Sequence, residues 1–293
     1  MEKKNMFAKI FVALETKPEE HEILSCMGGL RALGAREAHL TYFLTVNEAF
    51  AASFETAVES IRADLAGLKE KLEEQGLKVE AQAAVASSAG EINRRIQAAE
   101  ASLVVVGTPA LTLGREFLFG GVTTAILHNQ VKPTLVYRLK GGESPCIGRA
   151  CDFFSHILLP TDFSANADTA FALLEQIAAR GGVGKITILH VQDRERIEPY
   201  LQDRLQEFME IDQQRLNNLK QHLAGQNGVE IDTIMRYGMT ASEILKVEQE
   251  ICPSLVIMGS QGRGLIKEVF LGSVSHTMAR RGTSHLLLVP MAG

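Results

Sequence analysis

The sequence has few of the features that mark membrane or nucleic-acid-binding proteins. Its apolar runs, such as Leu103 to Val106 and Leu286 to Val289, are only a few residues long, whereas a membrane-spanning helix needs about 20. The formal net charge is −5 and the chain has no long run of Lys and Arg, which argues against a surface for nucleic-acid phosphates. We therefore expect neither a membrane segment nor a nucleic-acid partner.

Cysteine is also scarce, and the four residues are scattered: Cys26, Cys146, Cys151 and Cys252. This distribution is typical of reduced thiols rather than of a disulfide framework. The charged segment Met1 to Asn5 lacks the apolar stretch of a signal peptide. Both features predict a cytoplasmic protein. The spacing of Cys146, Cys151 and His156 matches no common zinc pattern, so we expect no metal site.

What the chain does contain is an internal repeat. The segment Ile10 to Ala13 resembles Ile157 to Pro160 at an offset of 147 residues, and Ala101 to Thr108 resembles Pro253 to Ser260 at an offset of 152. A repeat on this scale decides the architecture of the whole chain. A length of 293 residues also suits two average domains.

Within each copy, short apolar runs alternate with segments of helical period, a pattern typical of βαβ units and a parallel sheet. In the second copy the predicted strands are Ile157 to Leu159, Ile186 to Val191, Ile231 to Met235, Leu255 to Met258 and Leu286 to Val289. We predict an α/β fold with two tandem doubly wound domains, each an open, mostly parallel five-stranded sheet flanked by helices, of the Rossmann-like or HUP type.

The boundary between the copies is predicted from the segment Lys140 to Pro145, which has the composition of a linker. We assign residues 1–142 to the first domain, 143–155 to the linker and 156–293 to the second domain.

Two helices of the second copy are predicted from their periodicity. Ser164 is the expected N-cap of the first helix, and Gly181 and Gly182 are expected to close it. A later stripe is interpreted as a core-facing surface; its members are Leu201, Leu205, Phe208, Ile211, Leu216, Leu219 and Leu223.

Ligands of open parallel sheets bind at the carboxyl ends of the strands, near the switch in strand order. Asp162 follows the first strand of the second copy, where a carboxylate can accept hydrogen bonds from ribose hydroxyls. The alternative for Asp162 is helix capping, since Asp and Ser are common before helices. His190, inside the second strand, is interpreted as a strand-packing residue rather than a catalytic base.

The strongest local signal follows the fourth strand, where Gly259 to Gly264 is succeeded by Gly272 to Ser275. Glycines let backbone amides approach phosphate oxygens, and a helix N-terminus offers unpaired N–H groups. Ser273 and Ser275 add hydroxyls and Arg263 adds a cation. A tight loop without ligand is the alternative. Neither the P-loop pattern nor the dinucleotide pattern GxGxxG fits the first strand and helix.

These residues resemble the universal stress protein family, whose ATP-binding members carry Gly-x2-Gly-x9-Gly-(Ser/Thr) after the fourth strand. Gly259, Gly262, Gly272 and Ser273 match that pattern, and Pro160 to Ser164 and Leu189 to Val191 are also similar to the family. The resemblance covers the whole second copy and, more weakly, the first. The chain is similar to a tandem member.

The resemblance implies a set of nucleotide-binding residues. The adenosine would be held by Asp162 and the backbone of Val191, with Pro160 lining the base. The full implied set is Pro160, Thr161, Asp162, Val191, Met258, Gly259, Ser260, Gly262, Arg263, Gly264, Gly272, Ser273, Val274 and Ser275. No catalytic residue is implied. The implied ligand is ATP, ADP or AMP, with or without Mg²⁺.

The first copy departs from this pattern. Glu15 replaces the Asp, Ala110 replaces the second glycine, and Gly121 replaces the Ser or Thr. Pro109 removes an amide donor. We expect this degenerate copy to bind nucleotide weakly or not at all and to serve as a structural or regulatory partner.

We expect an ATP-binding sensor or regulator of the stress response rather than an enzyme. A slow ATPase or self-phosphorylating protein and a nucleotide-independent scaffold are the alternatives. In the family, domains pair through the last strand, here Thr134 to Tyr137 and His285 to Val289, and an exposed apolar edge strand invites pairing. The resemblance therefore implies an internal pseudo-dimer of the two copies and a further homodimer.

Overall fold

The computed structural model describes residues 6–15, 21–45, 54–86, 88–109, 120–139, 151–193, 204–225, 228–262 and 271–291. These residues form two compact units. We call the described residues between 6 and 139 unit 1 and those between 151 and 291 unit 2. The predicted linker lies largely in 140–150, outside the described residues, so its boundaries stay a prediction.

Unit 1 is built around five parallel strands. They are β1 (Lys9–Leu14), β2 (Glu37–Thr45), β3 (Lys78–Ala86), β4 (Leu103–Pro109) and β5 (Thr134–Leu139). The strand order is β3-β2-β1-β4-β5. The helices are α1 (His21–Ser25), a 3₁₀-helix (Met27–Leu33), α2 (Phe54–Glu74), α3 (Ala89–Ala98) and α4 (Gly121–His128).

Unit 2 repeats this arrangement. Its strands are β6 (His156–Thr161), β7 (Lys185–Asp193), β8 (Glu230–Gly238), β9 (Leu255–Gly259) and β10 (His285–Val289). They are parallel and lie in the order β8-β7-β6-β9-β10. The helices are α5 (Ala165–Ala178), α6 (Leu205–Leu223), α7 (Thr240–Ile251) and α8 (Ser273–Arg281). The predicted fold class and all five predicted strands of this copy are confirmed.

The central strands form the core of each unit. In β6 every residue after His156 is buried, and all five residues of β9 and of β10 are buried. Strands covered on both faces read as continuous apolar runs rather than alternating ones. This is why short unbroken runs of Leu, Ile and Val identified them in the sequence.

The predicted ends of the first helix of unit 2 are also confirmed. The hydroxyl of Ser164 accepts a hydrogen bond from the N–H of Ala167 at 3.2 Å, as an N-cap does. After α5, Gly181 and Gly182 have φ angles of 82° and 89°. This left-handed conformation favours glycine.

The interpretation of the later stripe as a core-facing surface is correct for the second half of α6 and wrong for the first half. Leu216 and Leu223, in the second half of α6, are buried. Ile211 is 42% exposed, and Phe208 and Ile211 border a cleft. Leu201 lies outside the described residues. The first half of α6 therefore presents Phe208 and Ile211 to that cleft. None of the described helices is long and apolar enough to cross a bilayer.

The expectation of reduced thiols is wrong for the described cysteines. Cys26, Cys151 and Cys252 are disulfide-bonded, and none of the described cysteines is free. Scattered positions along the chain say little about distances in the fold, and a disulfide depends on those distances.

Candidate functional site

A cleft of about 660 Å³ lies in unit 2, at the carboxyl ends of β6 and β9. The strand order switches between these strands, because β7 and β8 lie beyond β6 and β10 lies beyond β9. The pairing of β6 with β9 extends only to Leu158 and Val256. The strands separate beyond that pair, and ligands of doubly wound sheets bind at such a switch point.

Most of the predicted site residues line this cleft. They are Pro160, Thr161, Asp162, Val191, Met258, Gly259, Gly262, Gly272, Ser273, Val274 and Ser275. Ser260 is 5% exposed and supports the loop after β9. Arg263 and Gly264 lie outside the described residues, so their predicted contacts are untested. The structure thus brings together residues that are about a hundred positions apart in the sequence.

The loop after β9 is held in place by backbone contacts. The N–H of Ser260 donates to the carbonyl of Val289 at 2.9 Å, and the N–H of Gly272 donates to the carbonyl of Ser260 at 2.8 Å. The hydroxyl of Ser275 donates to the same Ser260 carbonyl at 2.6 Å. The Ser275 hydroxyl therefore fixes the start of α8 against the loop, and its contact with a phosphate stays a prediction.

Gly259 allows α5 to approach this loop closely. A Cβ atom at Gly259 would lie 2.9 Å from the side-chain amide of Asn166. That amide donates from Nδ2 to the carbonyl of Gln261 at 2.9 Å. The glycine therefore makes room for a side chain that holds the following turn.

Asp162 stabilises the turn before α5 and also borders the cleft, while its predicted contact with ribose stays a prediction. Its Oδ1 atom accepts a hydrogen bond from the N–H of Ser164 at 3.0 Å, which stabilises the turn before α5. The same side chain borders the cleft. Phe163, between Asp162 and Ser164 in the sequence, has a φ of 56°, an uncommon angle for a residue with a side chain. The turn after β6 is thus locally constrained beside the cleft.

A buried polar cluster forms one wall of the cleft. The Nδ1 atom of His190 lies 2.8 Å from the carbonyl oxygen of Thr161, and its Nε2 atom lies 3.3 Å from Oδ2 of Asp212. A carbonyl only accepts, so Nδ1 carries a proton. The contact of Nε2 with Asp212 is the second polar contact of the His190 ring. His190 is 6% exposed, as a strand-packing residue should be.

Asp212 is fixed by two further contacts. Gln192 donates from Nε2 to Oδ2 of Asp212 at 3.2 Å, and Arg215 donates to its Oδ1 atom at 3.2 Å. The Arg215 guanidinium also lies 5.3 Å from the centre of the Phe163 ring. Sequence reasoning missed this wall because α6 had been assigned to the core. The signal was present as Asp212 and Arg215, spaced one helical turn apart.

The described residues contain no group of three or more His, Cys, Asp or Glu side chains arranged to hold a metal ion. What the cleft offers is a mixed surface. Apolar side chains such as Met258 and Val191 lie beside the acidic groups of Asp162, Asp193 and Asp212. The backbone at the start of α8 lies at the same cleft, and the first N–H groups of a helix have no partner within it. Apolar lining with a few polar groups is typical of small-molecule sites.

A model described as the universal stress protein family matches the chain twice, at residues 6–138 and 154–290. The chain belongs to the universal stress protein family. Its two matches make it a tandem member, as the resemblance implied.

Curated relatives cover parts of the chain. The universal stress protein YxiE of Bacillus subtilis is 40% identical over 74 residues, which cover 25% of this chain and 49% of that protein. This match thus spans about half the length of that relative. A universal stress protein of Methanocaldococcus jannaschii is 26% identical over 155 residues, which cover 46% of this chain and 94% of that protein.

A solved structure extends the likeness to both copies. A universal stress protein from Archaeoglobus fulgidus has a TM-score of 0.75 at 18% identity and covers 99% of this chain and 100% of its own. At this identity the comparison shows the shared fold. Another solved universal stress protein is in complex with cAMP, but its TM-score is 0.36 at 19% identity. That likeness is too weak to assign a ligand to this chain.

Proposed function

We propose that unit 2 binds an adenine nucleotide, with ATP as the expected ligand, and that the protein acts as a nucleotide-responsive regulator in the stress response. The observation that carries the proposal is the meeting of Asp162 with the start of α8 at one cleft. Asp162 follows β6 and would accept from ribose hydroxyls. Ser273, Val274 and Ser275 would direct their backbone N–H groups at the phosphates, since helix N-termini bind anions.

The remaining site residues have roles in the same proposal. Pro160, Val191 and Met258 line the apolar part of the cleft and would contact the base. Gly262 and Gly272 would let the backbone approach the phosphates. Arg263 and Gly264 are proposed to contact the phosphates. An Mg²⁺ ion bound with the nucleotide would add charge compensation beside the three carboxylates of the lining.

Calorimetric titration of the full chain with ATP, ADP and AMP tests this assignment. Gly272→Val should abolish ATP binding, because a Cβ atom there would already lie 3.3 Å from Ser260 O and Ser275 Oγ and the rest of the side chain would fill the phosphate approach. Gly225→Val is the matched control, because a Cβ atom at Gly225 meets nothing within 4 Å. If circular dichroism shows that the Gly272→Val variant does not fold, the smaller substitution Gly272→Ala takes its place in the titration. Unchanged ATP affinity in folded Gly272 variants would reject the site.

We propose binding rather than turnover. The hydroxyl of Ser275 donates to a carbonyl oxygen, so it is not poised as a nucleophile. Ser273 borders the cleft and is the serine at which self-phosphorylation would be expected. Incubation with γ-labelled ATP and Mg²⁺ separates the two functions, since steady phosphate release that disappears in Gly262→Asp would favour the enzyme.

The cellular location and the assembly remain predictions. The cytoplasmic location loses the support of the cysteines, which are disulfide-bonded, and disulfides are rare in the cytosol. Cell fractionation tests it. The predicted pairing of the copies through the last strands, and the homodimer, are tested by chemical cross-linking and by light scattering of the full chain.

A further inference from the structure

The carboxylate after the first strand is used differently in the two units. In unit 2, Asp162 folds back on its own turn, where Oδ1 accepts from the N–H of Ser164 at 3.0 Å. Its counterpart in unit 1 is Glu15, which follows β1. Glu15 is longer by one methylene, which extends its reach by about 1.5 Å.

Glu15 uses this reach to contact the start of α4. Its Oε1 atom accepts hydrogen bonds from the N–H of Val122 at 3.0 Å and from the N–H of Thr123 at 3.1 Å. These are the second and third residues after the N-cap, Gly120. Their counterparts in unit 2 are Val274 and Ser275, which border the proposed phosphate site. A carboxylate thus occupies in unit 1 the position that we assign to phosphate in unit 2.

Gly120 lies directly against this carboxylate. A Cβ atom at Gly120 would lie 1.9 Å from Oε2 of Glu15 and 2.3 Å from its Cδ atom. Any side chain at position 120 would therefore displace Glu15. At the counterpart, Gly272, the nearest atoms to an added Cβ are all at 3.3 Å. Gly120 therefore makes room for the carboxylate of Glu15, which leaves no space beside Gly120 for another group.

Strand pairing also differs at this point. In unit 1, β1 and β4 stay paired as far as Ala13 and Val106. In unit 2, the pairing of β6 with β9 ends at Leu158 and Val256, and the cleft lies beyond it. The counterpart strands of unit 1 thus remain joined further toward their carboxyl ends, where a nucleotide would have to enter.

We propose that Glu15 is an internal ligand that closes unit 1 to phosphate. Its carboxylate satisfies amide donors that would otherwise face an anion, and its negative charge repels a phosphate at that position. The chain would then bind one nucleotide, in unit 2. The nucleotide part of this inference rests on the function proposed for unit 2, whereas the exclusion of phosphate from unit 1 does not.

The amide signals of Val122 and Thr123 in the full chain test the inference directly. They are followed by ¹⁵N–¹H NMR during titration with inorganic phosphate, in the wild type and in Glu15→Ala. We expect no response in the wild type and a saturable shift in Glu15→Ala, with apparent phosphate affinity raised at least roughly tenfold. A saturable shift in the wild type would overturn the proposal, and so would an unresponsive folded Glu15→Ala chain.

Two further variants keep the test valid if Glu15→Ala fails to fold. Glu15→Asp shortens the side chain by one methylene and should open the site as Ala does. Glu15→Gln keeps an acceptor oxygen at the same reach but loses the charge, so it should fold and bind phosphate more weakly than Glu15→Asp does. A response of Glu15→Gln equal to that of Glu15→Asp would show that reach is not what closes the site, and would overturn the proposal.

The same spectra separate this inference from the function of unit 2. The amides of Val274 and Ser275 report on unit 2 during titration with ATP. If they do not respond, the proposed nucleotide site fails, while the phosphate titration of Val122 and Thr123 still decides the role of Glu15.

Discussion

The carboxylate of Asp162 lies against Gly262: a Cβ atom added to Gly262 would be 3.3 Å from Oδ2 of Asp162. The two residues come from different strands, since Asp162 directly follows β6 and Gly262 lies three residues after the end of β9. Their proximity places the expected ribose acceptor beside the expected phosphate turn. A charged side chain at position 262 would therefore lie in contact with the carboxylate of Asp162.

Gly262→Asp should therefore abolish or strongly weaken ATP binding. The new carboxylate would lie against Asp162 and beside the phosphates, and like charges at such distances repel. We expect a loss of at least roughly tenfold in affinity by calorimetry. Gly225→Asp adds the same charge where nothing lies within 4 Å and should bind normally. Equal affinities for the two variants would contradict the geometry of the cleft.

Asp162→Asn separates the sugar contact from the turn. Asn keeps an acceptor for the N–H of Ser164 but loses the charge, so stability should change by less than about 1 kcal/mol. ATP affinity should fall by about 1–2 kcal/mol, because hydrogen bonds to a charged acceptor are the stronger ones. Inorganic phosphate should still shift the amides of Val274 and Ser275. Loss of the phosphate response would show that Asp162 acts on the loop and not on the ribose.

Glu248→Ala should destabilise unit 2. Glu248 is 1% exposed, and its Oε1 atom accepts from the N–H of Thr283 at 2.9 Å and of Ser284 at 2.7 Å, just before β10. Buried donors left without a partner cost about 1–3 kcal/mol each, so we expect a loss of about 2–4 kcal/mol in the free energy of unfolding. Urea denaturation measures it. Glu248→Gln keeps an acceptor oxygen and should lose less, and a Gln variant as unstable as the Ala variant would contradict this account.

His156 should make unit 2 less stable at mildly acidic pH. Burial, and secondarily the charge of Lys185, lower the pKa of His156 below its ordinary value of 6.5. The folded state therefore takes up the proton less readily than the unfolded state. The contribution of His156 is fully present above pH 6.5 and declines as the pH falls toward the folded-state pKa.

NMR titration of the His156 ring measures the pKa directly, and urea denaturation at several pH values measures the stability. His156→Gln should flatten the fall in the free energy of unfolding below pH 6.5. A ring that titrates above its ordinary pKa would reverse the predicted sign.

The fold was predictable because its information is local. Runs such as Ile157 to Leu159 and Leu286 to Val289 are unbroken because both faces of these strands are buried. The cleft residues Asp162, Gly262 and Gly272 were predictable because they lie within three residues after such strands or at the start of a helix. An apolar run and the polar residue or glycine after it lie within a few positions of one another, so both can be recognised in the sequence.

The rest of the site depends on distances that the sequence does not contain. The stripe of α6 identified an apolar face, but not that Phe208 and Ile211 would border the cleft. Nor could it show that Asp212 would meet His190, 22 positions earlier in the chain. The disulfide bonding of the cysteines was missed for the same reason.

Gly120 shows that a glycine can match a nucleotide-binding pattern where a side chain of the same chain occupies the space beside it. It matches the third glycine of the nucleotide pattern, yet its open space is filled by Glu15. A survey that scores tandem chains by their glycines would credit this one with a second ligand pocket. If Glu15 closes unit 1 as we propose, the choice of aspartate or glutamate after the first strand is the better criterion for telling an open copy from a closed one.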